Sequence, residues 1–273
     1  MTIQIMKIYK ESFKNVWGHM LEWIRVAFAP FVVWALGFLF MAIVYWSEGR
    51  WSYDAFMNQM QGLQSPQEYT FLMGFSDFVY NIAYFIALAS IYINGFRYAI
   101  LEEGGDRWWT LHLNRRLVKT ILYYLLIMVL GGIYVAISGG IVFGAHILFE
   151  SIVLDVVLGA LFAIYGIYLM YRIILTFPLI AIDQKKPIRV SWRLLKGNVL
   201  RLFGLIFLII ISLLLLGLAG VIVLGILGWV LALINPWLAG IAALLLLVFG
   251  LFIWLLSWGV VSKAMSVVYK DLT

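Results

Sequence analysis

The chain has no cysteine. Disulfides, thiolate metal sites and cysteine nucleophiles are therefore excluded. Charge is scarce too. Charged residues are 12% of the 273 positions, against about a quarter in a soluble domain. No acidic residue sits midway along an apolar run, which argues against the intramembrane proton relays of coupled transporters. Signatures of nucleotide binding, Ser-His-Asp catalysis and zinc hydrolysis are missing. The three histidines, His19, His112 and His146, have no ligand-like spacing. No metal, cofactor or enzymatic activity is expected.

What is present is apolar. Hydrophobic residues are 65% of the chain, in six long runs near 24–46, 75–101, 119–148, the turn at Glu150 and Asp155 to 182, 202–231 and 238–261. Each is long enough for a transmembrane helix of about 20 residues. Together with their connections they use the whole length, so an all-α, six-span membrane protein is predicted. Eighteen of the 19 Lys and Arg residues fall on one side of this alternation, Arg50 being the exception. The positive-inside rule then places both termini in the cytoplasm. The N-terminus does not read as a cleavable signal, because its apolar run is too long. The net charge of +6 reads as topology and attraction to anionic headgroups, with no nucleic-acid partner expected.

Residues 5–22 repeat apolar side chains at helical spacing, with Phe13 and Trp17 on that face and Lys7, Lys10 and Lys14 on the other. The pattern predicts an amphipathic helix lying in the membrane surface, aromatic face toward the acyl chains. Phe56, Met57, Met60 and Leu63 suggest a short surface helix in the first long connection. Trp108 and Trp109 suit a headgroup belt. Gly131-Gly132 and Gly139-Gly140 would kink the third span or admit a close neighbour. The segment 183–201 is amphipathic as well and carries Lys185, Lys186, Arg189, Arg193, Lys196 and Arg201.

SFKNVWGHMLEW at 12–23 parallels SWRLLKGNVLRL at 191–202, each just ahead of a span. TLHLNRRLVKTI at 110–121 takes the same place but has Arg116 where the others have glycine. The pattern predicts three units, 1–101, 102–182 and 183–273, each a surface helix followed by a two-span hairpin. The glycine would permit the break between helix and span. Each even-numbered span ends with one basic residue, Arg97, Arg172 and Lys263. These three, with the 185–196 cluster, are candidates for gripping lipid phosphate. Arg172 lies up to about 16 Å along a helix from Asp183, so it either serves a site or snorkels to the headgroups.

The stretch YRIILTFP at 171–178, followed by SWRLLKGN at 191–198 and an apolar run, resembles YciC-like bacterial inner-membrane proteins. It is also similar to the membrane-domain superfamily attached to some glycerophosphoryl diester phosphodiesterases. The resemblance implies a multi-span protein of the bacterial cytoplasmic membrane. The hydrolase domain of those enzymes is missing from this sequence, so phosphodiesterase activity is not implied. The sequence thus points to a non-catalytic protein that engages anionic phospholipid at the cytoplasmic leaflet, in membrane organisation or envelope homeostasis. An accessory subunit with protein partners in a larger membrane complex, or a transporter of lipid or small hydrophobic solute, fits the same features.

Overall fold

The computed structural model describes residues 2–49, 70–111 and 113–273, without the side chains of residues 236–239. Arg50, His112 and the surface helix expected around Phe56 to Leu63 lie outside the described residues. Among the described residues every regular element is an α-helix. They are α1 (Ile5–Gly18), α2 (Met20–Ser47), α3 (Phe71–Leu101), α4 (Arg115–Phe149), α5 (Ile152–Ile173), α6 (Thr176–Ala181), α7 (Pro187–Leu194), α8 (Val199–Ile234) and α9 (Pro236–Leu272). Six spans are long and apolar enough to cross a membrane, the fourth made of α5 continued by α6.

Local chemistry sets the helix starts. The Thr70 hydroxyl caps α3 by accepting from Met73 N at 3.2 Å. Asn114 Oδ1 caps α4 through Arg116 N at 3.0 Å, and Ser151 caps α5 through Leu154 N at 3.4 Å. Each satisfies a backbone donor that the helix itself leaves unpaired. The break between α5 and α6 falls at Ile174 and Leu175, because Pro178 cannot donate to the Ile174 carbonyl and its ring crowds that oxygen. Arg172 therefore lies in the last turn of α5, far nearer the helix end than an unbroken span would put it.

The buried core is concentrated at one end of the molecule. It joins α1, the starts of α2 and α8, the ends of α3 and α9, α6, and Leu195 just after α7. The long helices explain its position. At 36 residues, α8 is roughly 54 Å long, well beyond a hydrocarbon core of about 30 Å. Counting about 20 residues back from its far end, the core positions of α8, Val199 to Leu213, all lie in the surplus. The core positions of α9, Leu256 to Val268, do the same. Apolar side chains in lipid gain nothing by leaving their solvent, whereas those near water must be covered. Accordingly the α4–α5 hairpin is exposed through its apolar stretches. Its helices touch through the Tyr134 hydroxyl, which donates to the Phe162 carbonyl.

Several expectations are corrected. The N-terminal helix does not bury its apolar face in lipid: Ile8, Ser12 and Val16 are fully covered by protein, and α1 packs on α8 and α9. Tyr9 from that face hydrogen-bonds Ser212 at 2.8 Å. The glycine pairs of α4 neither break the helix nor face any atom within 4 Å of a built Cβ. A surface helix precedes the first and third hairpins, but the described residues of 102–114 are non-helical. Gly197 adopts φ +81°, a left-handed conformation suited to glycine, at the turn into α8. Gly18 stays helical, and the first break falls at His19 with φ −122°.

Candidate functional site: a cationic face at the charged end

The best-defined cationic surface is built on α7. Pro187 opens the helix at a position where its missing N–H costs nothing. Pro187, Ser191 and Leu195 turn inward and are buried. The Ser191 hydroxyl donates to the carbonyl of Arg172 at 2.9 Å, pinning α7 to the end of α5. The opposite face then exposes Arg189 and Arg193, with Lys185 and Lys186 exposed before the helix and Lys196 and Arg201 after it. None of these six forms an ion pair among the described residues. The acid that precedes them, Asp183, is taken by Arg116, whose Nε donates to its carboxylate at 2.8 and 3.0 Å. That contact holds the Asp183 carboxyl below its ordinary range, with lesser help from the charges of Arg97 and Lys119 and against a burial effect.

Arg172, Arg97 and Lys263 share a place in the sequence but not an environment. Arg172 is 5% exposed, with its guanidinium over the Trp192 ring at 4.4 Å and the Tyr168 ring at 5.8 Å. Arg97 is committed within the protein: it donates to the Ala181 carbonyl at 2.8 Å and pairs with Glu103. It staples the end of α3 to α6 and to the loop that follows α3, so both of its terminal nitrogens have protein partners. Lys263 is half-buried and lines a recess of about 480 Å³ with His19, Glu22, Arg25, Glu102 and Asp106. A second recess of about 450 Å³ adjoins it through Glu102 and Asp106 and reaches Arg97 and Arg107. Three equivalent sites are therefore not formed.

On α1, Lys7, Lys10 and Lys14 are exposed and Phe13 is half-buried. Trp17 is exposed, with its ring against Phe252 at 6.1 Å. Two apolar crevices flank α3 deeper in the bundle. One, about 440 Å³, includes Trp34, Tyr80 and Trp254. The other, about 430 Å³, includes Tyr92, Tyr124 and Phe177.

Sequence reasoning missed several partnerships. Glu22 accepts from the Tyr98 hydroxyl, and His146 meets Asp155 at 2.8 Å across the α4–α5 turn. Buried Asn94 ties two segments together by donating to the carbonyls of Val26 at 3.0 Å and Thr110 at 2.7 Å. Only the His146–Asp155 pair carried a signal, since nine residues across a tight helical turn bring two positions level. The described residues contain no group of His, Asp and Glu placed to hold a metal ion. No protein-family model, curated protein or solved structure matches the chain.

Proposed function

We propose that this is a non-catalytic protein of the bacterial cytoplasmic membrane, both termini cytoplasmic, that engages anionic phospholipid of the inner leaflet and serves membrane organisation or envelope homeostasis. The observation that carries this reading is the set of six exposed cations from Lys185 to Arg201 without an acidic partner among the described residues. Each basic residue near an anionic leaflet contributes about 1 kcal/mol of attraction. A face that only fixed orientation would work equally well with its charges paired to acids. Half-exposed Trp192 beside them suits the headgroup level, where an amphipathic ring has both a wet and an apolar side. The resemblance of 170–205 to YciC-like inner-membrane proteins agrees with this placement.

The test is lipid selectivity in mixed bilayers. Spin-labelled phosphatidylglycerol should be enriched over phosphatidylcholine around the reconstituted protein, and the enrichment should fall as salt screens it. Replacing Lys185, Lys186, Arg189, Arg193 and Lys196 together by Gln should abolish it. Equal partitioning of the two lipids around the wild type would overturn the reading. Stoichiometric partner chains retained in mild detergent would favour the accessory subunit instead.

A further inference from the structure

We infer that Arg172 and Trp192, with Arg189 and Lys196 beside them, form a discrete site for one phosphate group, supplied by a phospholipid of the adjoining leaflet. The inference rests on the proposed function, since it takes the α7 face to lie at that leaflet. It goes further by assigning a single bound lipid rather than a diffuse attraction.

Arg172 carries the argument. Ring stacking occupies the flat face of a guanidinium, while its five N–H donors point outward in the plane. The rings of Trp192 and Tyr168 take the face, and among the described residues no protein acceptor meets Nε, which is buried without a hydrogen-bond partner. Among the described residues no carboxylate pairs with Arg172 either. The cation–π contacts hold the guanidinium in place but satisfy none of its N–H donors. Burying a guanidinium with Nε unpartnered is costly unless another group supplies an acceptor, so the arrangement calls for an oxyanion. A planar fork of donors matches two phosphate oxygens.

The surroundings select the same ligand. The Ser191 hydroxyl fixes α7 against the Arg172 carbonyl at 2.9 Å, which sets the next residue, Trp192, in place over the guanidinium. Arg189 lies three residues before Trp192 on α7, where helical spacing puts it on the same side of the surface, and exposed Lys196 follows two residues beyond the end of the helix. Tyr168, one turn back along α5, is 40% exposed toward the apolar part of the span. An anion here would meet cations toward the surface and rings toward the bilayer, as the phosphate of an acyl-chain lipid does. A free phosphate would use only the first half of that environment.

Native mass spectrometry and thermal unfolding of the full chain in nonionic detergent test this. Wild type should hold one phosphatidylglycerol more tightly than any further copies, and added phosphatidylglycerol should raise its Tm through linkage. Diacylglycerol, which lacks the phosphate, should do neither, and millimolar inorganic phosphate should not displace the lipid. Arg172→Lys keeps the charge but loses the fork, so affinity should fall roughly tenfold or more. The lipid-induced rise in Tm should shrink with it, whatever the variant's own starting Tm. Trp192→Leu, which releases the guanidinium face, should act alike. Lys270→Gln, at an exposed cation in the last turn of α9 and outside this face, should leave the single adduct in place.

Wild-type lipid retention and Tm response in Arg172→Lys would overturn the site and leave Arg172 a packing residue. Displacement by inorganic phosphate would overturn the lipid as its source. If phosphatidylglycerol enrichment in bilayers persists without a single tight adduct, the site fails and the broader reading stands. If enrichment is also absent, both fail.

Discussion

At the residue scale, the decisive positions are those where two helices meet without room to spare. A Cβ on Gly95 would stand 2.4 Å from the Trp258 ring and 3.2 Å from the Ser262 hydroxyl. Trp258 itself lies in the core, edge-on to Trp23 at 5.3 Å. Gly95→Ala should therefore force the α3–α9 contact apart and cost about 1–3 kcal/mol, read as a lower Tm in detergent. Gly131→Ala, with nothing within 4 Å, should not lower Tm. Equal effects would mean that α3 and α9 do not approach as closely as this packing requires. Sequence pattern marked the Gly131-Gly132 pair for close approach, whereas the fold crowds Gly95 and leaves Gly131 open.

At the element scale, the charged end is tied by a contact that acid should release. Asp183 follows α6 and holds Arg116 in the first turn of α4, linking segments 67 residues apart. Its folded carboxyl titrates below the unfolded value of about 4. The stabilisation is therefore fully present above that value and is lost as pH falls through the lower folded one. Half of Asp183 is exposed, which limits the contribution to less than about 1 kcal/mol. Asp183→Asn should lower Tm slightly at pH 6, and its deficit against wild type should vanish toward pH 2. A deficit that persists unchanged in acid would show that the carboxylate charge contributes nothing to the tether. The amphipathic helices divide at this scale as well. Both present apolar residues at helical spacing, yet α1 spends that face on α8 and α9, while α7 buries Pro187, Ser191 and the adjoining Leu195, packs Val190 and Leu194 partly against the core, and leaves Trp192 half outside.

At the scale of the whole molecule, the proposed orientation is directly testable because the chain has no cysteine of its own. Ile152→Cys, exposed at the start of α5, should react with an impermeant thiol reagent in intact cells, or in spheroplasts where an outer membrane intervenes. Gln184→Cys, exposed beside α7, should react only after permeabilisation. The reverse pattern would turn the protein over and move the cationic face away from the inner leaflet. Protein cover is uneven along the spans, and the two spans of the α4–α5 hairpin have none in their most apolar windows. The α4–α5 hairpin, covered mainly by lipid, is the part least held by protein contacts.

The sequence by itself determined the number of spans, the side on which the charges gather, and the amphipathic helices before the first and third hairpins. These follow from hydropathy and helical period, which act along the chain and need no tertiary partner. The candidate site was legible only as composition: the cations from Lys185 to Arg201 and the isolated Arg172. Tertiary structure alone decided that Arg97 is spent on Glu103 and the Ala181 carbonyl, that Arg172 stacks on Trp192, and that α1 belongs to the core. The reason is physical. An apolar helical face is equally satisfied by lipid or by protein, and a lone basic residue equally by a phosphate or by a carboxylate. Which of these it meets depends on what the fold brings beside it, and segments as far apart in the chain as 84 residues, as for Arg97 and Ala181, leave no mark of that in local pattern.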